Sequence, residues 1–325
     1  MPATTLVQKL AHGALVVVVT LLLTAVAGEI LLRIKNSDQR SYTIEMWRYA
    51  RELKQISPDP ALGHIHVPNR LARLQGTDIQ INDLGLRGPA LDLSDRSRKR
   101  ALLLGSSITL GWGVAEQQTT RARLEHYLNG TFWAVNGGIG NYNVVRSVAF
   151  FGSHLRDRLK PDVVILHFFV GDAAYLPPSR DNYIFRNSQL AVLLYHIVQN
   201  FLQGSTDISA LVRYYRDVYS EDGRSLKEMR ASLRRLQEMQ RTDGFEVVLA
   251  IIPDIHQLAA YPLMFVHDKM REIAAGFGWQ TVDFLDDLKQ FRGPELWAIP
   301  GDPHPNALVH DIMARRLARV LNSLN

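Results

Sequence analysis

The sequence predicts an α/β fold, a three-layer α/β/α sandwich with a mostly parallel central sheet, preceded by an N-terminal transmembrane helix. Three observations point there. From residue 99 onward, short continuous runs of Val, Ile and Leu alternate with longer stretches of helical period. Such runs suit strands buried on both faces, as in a parallel sheet covered by helices. Near the start, Gly13 to Leu32 is apolar over about the length that crosses a bilayer. The chain has 325 residues, 46% of them apolar, which is enough for a full core.

Taken in order, residues 1–35 read as a membrane anchor or signal segment. Its apolar run is interrupted only by Thr20, Thr24 and Glu29. A shorter reading takes Lys9 as a basic leader, Ala14 to Leu23 as an apolar core and Ala25-Val26-Ala27 as a cleavage signal. Ile30-Leu31-Leu32 carries the apolar run past that point and favours an uncleaved anchor. Both readings send the rest of the chain across the membrane, to the periplasmic or extracytoplasmic side. Arg33, Lys35, Arg40, Arg48 and Arg51 follow the segment, and the positive-inside rule taken alone opposes this. Long domains translocate largely regardless of charge, so the export layout is given precedence. Glu29 is expected near the membrane edge, within reach of headgroups.

Residues 36–98 read as a connector and entry segment. Met46, Ala50 and Leu53 stand at helical spacing. The stretch 61–95 carries Gly, Pro, Asn and Asp punctuation, and Thr77 to Ile81 alternates as in a small hairpin. Residues 99–325 form the main domain. Strands are expected at Ala101–Leu104, Phe132–Val135, Val163–Phe169, Val247–Ile252 and Thr281–Phe284. Helices are expected at Gln117–Asn129, Val144–Leu159, Ala191–Leu202, Leu226–Arg241, Pro262–Phe277 and Pro305–Leu324. An insertion at about 175–225, rich in Tyr and Arg, suits a lid, a substrate surface or a packing subdomain.

Composition narrows the function. The net charge is +5, and the densest basic cluster, Arg96 to Arg100, precedes a buried strand and reads as a solvated loop. No stretch interleaves aromatic and basic residues as a single-strand binder does, so no nucleic-acid partner is expected. The chain has no cysteine, which excludes disulfides, thiolate metal sites and cysteine nucleophiles. His304 and His310 are six apart without clustered ligands, so neither a metal nor a cofactor is expected.

The chemistry sits at two places. The strand Ala101 to Leu104 runs into Gly105-Ser106-Ser107, which puts Ser107 just past a strand's carboxyl end, where open α/β sheets bind ligands. Gly105 permits the sharp exit, and the Ser107 backbone amide is a candidate oxyanion donor. Near the other end stands Gly301-Asp302-Pro303-His304-Pro305-Asn306. Each proline biases the residue before it toward extended geometry. Asp302 and His304 then face the same way. Asp302 could orient His304, and His304 could take a proton from Ser107. The other reading of these residues makes Asp302 a helix cap and His304 a surface residue. Pro305 suits the first position of a final helix with an apolar face at Val309, Ile312, Met313, Leu317, Val320 and Leu324.

With these blocks in view, the chain resembles the SGNH, or GDSL-type, hydrolase family. Gly105-Ser106-Ser107-Ile108-Thr109 matches its first block, and Asp302-Pro303-His304-Pro305-Asn306 resembles its fifth. Asn136-Gly137-Gly138-Ile139-Gly140-Asn141-Tyr142-Asn143 resembles its second. The resemblance implies Ser107 as nucleophile, His304 as base and Asp302 as orienting acid. It implies an oxyanion site made by Ser107, Gly140 and Gly171, with Asn141, Asn143 and Asp172 as substrate-binding candidates. Two departures stand out. Ser106 replaces the first block's Asp, and Gly171, in Phe169-Val170-Gly171-Asp172, stands where the third block offers an Asn. Asp172 is expected to point away from the oxyanion. Ile81 to Gly88 resembles a segment of membrane-anchored bacterial members linked to exopolysaccharide or envelope acylation. The resemblance implies an exported serine esterase or O-acyltransferase acting on an acylated carbohydrate or small ester. A weakened member serving as a polysaccharide-binding or assembly component is the alternative.

Overall fold

The computed structural model describes residues 2–179, 182–203 and 208–324. In chain order, α1 (Pro2–Lys35) and α2 (Tyr42–Leu53) lead into two antiparallel strand pairs. These are β1 (Lys54–Ile56) with β2 (His64–His66), and β3 (Arg70–Leu74) with β4 (Thr77–Ile81). Next come β5 (Lys99–Gly105), the short α3 (Ser107–Leu110), α4 (Thr120–Tyr127), β6 (Phe132–Gly138), α5 (Val144–Phe150) and α6 (Arg156–Leu159). β7 (Val163–Phe169) precedes α7 (Tyr183–Asn187), α8 (Gln189–Gln203) and α9 (Ile208–Val218). α10 (Arg224–Asp243), β8 (Glu246–Ile252), α11 (Met264–Phe277), β9 (Gln280–Asp283) and α12 (Leu285–Leu288) follow. β10 (Trp297–Ile299), β11 (Asp302–Pro305) and α13 (Ala307–Ser323) complete the chain. The chain divides into two compact units, Met1–Trp47 with Asp181–Ser205, and Arg48–Arg180 with Thr206–Asn325.

The larger unit holds the sheet. Its five strands pair in the order β6-β5-β7-β8-β9, all parallel. Alternate residues of β5 go to opposite faces, as a strand's two-residue period requires. Leu102 and Leu104 join one core with Val148 of α5, Leu233 of α10 and Met270 of α11. Ala101 and Leu103 join the other with Leu124 of α4 and Val309, Met313 and Leu317 of α13. The result is the expected three-layer sandwich. Chain connections leave β5 and β7 for opposite sides of the sheet, so their carboxyl ends open on a crevice. Ser107 lies just beyond β5.

Some elements differ from expectation. The helix expected over Val144–Leu159 is broken by a π segment at Phe151–Leu155. Gly152 lies within it, where a β-carbon would meet Met239 Sδ at 3.3 Å, so the lack of a side chain lets α10 approach. Pro305 does not open the last helix. It ends β11, which pairs with β10, and Asn306 is the cap, its side chain accepting from the Leu308 and Val309 amides.

The smaller unit is dominated by α1. Val7–Asp38 reaches a mean hydropathy of 2.6 over its apolar window, none of which is buried. Length and composition suffice to cross a membrane. Glu29 does not simply face outward. Its carboxylate accepts from Ser188 Oγ at 2.9 Å and from the Gln189 and Leu190 amides at 3.1 and 2.9 Å, capping α8. It also pairs with Arg33 at 2.8 Å.

Candidate active site

The structure brings the two distant motifs together. Ser107 Oγ lies 2.8 Å from His304 Nε2, across a sequence separation of 197 residues. His304 Nδ1–H donates to Asp302 Oδ1 at 2.6 Å, and the His304 backbone amide donates to the same oxygen at 3.1 Å. The helix-cap reading of Asp302 is set aside, since Asn306 caps α13. Asp302 is fully buried. Its second oxygen accepts from Gln75 Nε2 at 2.5 Å and Trp112 Nε1 at 3.1 Å. Burial alone would raise its pKa, but the bonds and charge of His304 together with Gln75 outweigh it and hold the carboxyl below its ordinary value.

The serine's position follows from close packing. A β-carbon on Gly105 would lie 2.1 Å from Thr109 Oγ1 and 2.8 Å from the His167 carbonyl, so only glycine lets β5 turn here. Arg87, fully buried, braces the far end of the turn. Its guanidinium donates to the carbonyls of Leu110 at 3.0 Å, Gly111 at 2.5 Å and Val114 at 2.7 Å, and pairs with Glu116 at 3.1 Å. Asn82 organises the loop that delivers Arg87, accepting from the Leu84 and Leu86 amides and donating to the Pro89 carbonyl. The Ile81–Gly88 stretch is thus a strut for the serine turn.

The expected oxyanion and substrate residues fare differently. The Gly140 amide donates to Tyr49 Oη at 2.9 Å. Tyr49 is fully buried and lies 2.6 Å from His66 Nε2, while His66 Nδ1 donates to the Gly85 carbonyl at 2.9 Å. Burial lowers the His66 pKa to about 4, so the ring is neutral and its Nε2 accepts the phenol proton. The Gly140 carbonyl meets His64 Nε2 at 2.9 Å and Lys54 Nζ at 3.4 Å. Gly140 is therefore engaged on both sides by the entry segment. Gly171 lies in a 3-10 turn, where a β-carbon would meet the Phe169 ring at 3.0 Å and Tyr215 Oη at 3.3 Å. An asparagine would crowd both.

Asn143 is buried and turned into the fold. It caps α5 through the Arg146 amide and donates to the Ala174 carbonyl. Asn141 is exposed, with a left-handed φ of 64°. Asp172 is buried and accepts from the Phe169 amide at 3.1 Å and Ser106 Oγ at 3.4 Å. These bonds tie it to the serine turn. Burial pushes its carboxyl up to about 7, against the lowering effect of those two donors. His310 is buried against Thr120 Oγ1 at 2.8 Å and stands apart from His304 in role.

Sequence reasoning missed Gln75, Trp112 and Tyr49, which act across gaps that no local pattern marks. It also missed a second Asp-x-His pair. His256 Nδ1 donates to Asp254 Oδ1 at 2.6 Å just past β8, with a half-exposed ring and no bonded serine among the described residues. A cavity of about 500 Å³ at the amino edge of the sheet, lined by Lys99, Phe132 and Glu246, holds none of these groups.

Comparison with known proteins agrees with this architecture. The GDSL-like lipase/acylhydrolase family model matches residues 103–312. The chain belongs to that family, and its class is that of an ester-cleaving acylhydrolase. Solved structures of similar fold include TesA, with 17% identity, 70% of this chain and 100% of that one covered, and a TM-score of 0.46. An acetylxylan esterase from Geobacillus stearothermophilus has 19% identity, 68% and 93% coverage and a TM-score of 0.44. A lipase/acylhydrolase from Enterococcus faecalis has 13% identity, 69% and 96% coverage and a TM-score of 0.43. No curated protein matches the chain.

Proposed function

We propose that this protein is a membrane-anchored serine esterase or O-acyltransferase whose catalytic groups are Ser107, His304 and Asp302. The observation that carries the reading is the unbroken chain from Ser107 Oγ through His304 to the buried Asp302 carboxylate. His304 takes the serine proton as Oγ attacks an ester carbonyl, and returns it to the departing alcohol. Asp302 keeps Nδ1 protonated and stabilises the imidazolium. The Ser107 amide, at the start of α3, and Gly171, in the turn after β7, are assigned as the oxyanion donors. Water or a sugar hydroxyl then releases the acyl group. The domain sits on the extracytoplasmic side of the membrane, held by α1, and residues 1–35, 36–98 and 99–325 act as anchor, brace and catalytic domain.

The acylated-carbohydrate substrate rests on the likeness of Ile81–Gly88 to envelope-associated members. A second reading, a glycan-binding component of low activity, is favoured by two observations: the Gly140 amide donates to Tyr49, and no Asn stands at position 171. Losing one oxyanion donor costs a factor of about 10²–10³ in kcat. Turnover of p-nitrophenyl acetate and of an O-acetylated glycan decides between them. The enzyme reading expects slow turnover by the native chain and none by Ser107→Ala. Glycan binding without turnover by either chain would establish the second reading instead.

A further inference from the structure

We propose that α8 lies in the lipid bilayer beside the anchor, so that two elements rather than one fasten this protein to its membrane. The inference rests on the anchor reading of α1. Over Gln189–Gln203 the helix carries no Asp, Glu, Lys or Arg. Leu194, Tyr195, Ile197 and Val198 are each about half exposed, and Phe201 is 86% exposed. Five successive residues, 194 to 198, are exposed, which is more than one full turn. By helical spacing His196, Gln199, Asn200 and Gln203 line one side of α8, and Leu190, Leu194, Ile197, Val198 and Phe201 line the other. An amphipathic helix that leaves its apolar side exposed suits a membrane interface, with that side in the acyl chains and the polar side toward the headgroups. Among its described side chains only Gln189 and Val192, both near the start, are buried.

Lipid is the occupant because α8 begins against the anchor itself. Glu29 bonds the Ser188 hydroxyl and the Gln189 and Leu190 amides. A β-carbon on Gly28 would meet Leu190 at 3.7 Å, an ordinary packing distance. Arg33 donates to the Asn187 carbonyl at 2.9 Å, and Asn36 to Gln189 Oε1 at 3.0 Å. Trp47 Nε1 donates to the Phe185 carbonyl. The bilayer that surrounds the apolar window of α1 therefore meets α8 at its root. Fifteen residues rise only about 22 Å, short of the ~30 Å hydrocarbon layer, so α8 enters one leaflet without crossing. That leaflet is the one at the Glu29–Lys35 end of the anchor. Tyr183, Phe185 and Tyr195 suit the aromatic level of its interface. Glu29 thereby supplies the polar partners that the first amides of α8 need at the lipid boundary.

The absence of cysteine makes a direct test available. The full chain with the single substitution Ile197→Cys, and a control with Ser97→Cys in an exposed loop, are labelled with bimane. Each is reconstituted into phosphatidylcholine/phosphatidylglycerol vesicles with brominated acyl chains. The proposal expects at least twofold quenching at position 197 and none at 97. Vesicle-bound protein with equal, weak quenching at both sites overturns it and leaves the anchor reading intact. Probes at 197 that cross-link between copies without bromine quenching also overturn it, in favour of self-association. Protein that fails to float with the vesicles removes the anchor reading as well.

Discussion

Gln75 shows how far the site reaches beyond its three central residues. It occupies a two-residue turn between β3 and β4 with φ of 47°, followed by Gly76 at 72°. Two successive positive values suit the tight hairpin turns that match strand twist. A glutamine is a poor choice there on conformational grounds, so its bond to the Asp302 carboxylate is a sufficient reason for its place. A hydrogen bond to a charged group contributes about 1.5–3 kcal/mol. Gln75→Ala is therefore expected to lower kcat by roughly 10- to 100-fold with little change in KM, as steady-state kinetics would show. Asp172 makes a different prediction. Its native carboxyl titrates at about 7 rather than near its ordinary 3.8. Between those values the native state holds a proton that the unfolded chain has lost. The associated stability is full below about pH 4 and is lost as pH rises through about 7. Denaturant melts of native protein and Asp172→Asn across pH 4–8 should show the native chain losing stability relative to the variant as pH rises. Ser107, His304 and Asp302 stand in short motifs whose local geometry left a second reading open, and the likeness to the family's blocks singled them out. Gln75 and Trp112 were not legible, because their bonds to Asp302 span 227 and 190 residues.

The elements repeat this contrast. The strands β5, β6, β7 and β8 were readable from apolar runs, since burial on both faces favours that composition, whereas the edge strand β9 has only Val282 buried. β10 and β11 were not, because Pro303 and Pro305 lie within a four-residue strand that only an edge tolerates. This pair matters because it carries Asp302 and His304, and its register is locked where α13 begins. The Asn306 amide donates to the Leu296 carbonyl at 2.8 Å and its side chain to the Glu295 carbonyl at 2.8 Å. Asn306→Ala is expected to cost about 1 kcal/mol or slightly more through the lost cap. It should lower the melting temperature by a few degrees and reduce esterase activity, because the same residue fixes the strand that holds His304. The Ile81–Gly88 stretch was noticed by likeness alone. Its physical role, Arg87 tying down the carbonyls after α3, needed coordinates.

On the scale of the molecule, function follows from where the chain reverses direction across its sheet. β5 and β7 end side by side at the crevice, so the Ser107 turn and the Phe169–Asp172 turn meet there, while the last strand pair brings His304 over the top. Fold class was readable from the alternation of strands and helices and from the apolar start. The docking of residues 182–190 onto the end of α1 was not, since it depends on one carboxylate meeting two amides and a hydroxyl. The most direct test of the central claim is covalent. The full chain in detergent is treated with a fluorophosphonate, digested and mapped by mass spectrometry, alongside His304→Ala. The account predicts a single phosphonyl adduct on Ser107 in the native protein and its loss in the variant. An adduct on another residue, or equal labelling without His304, would contradict it.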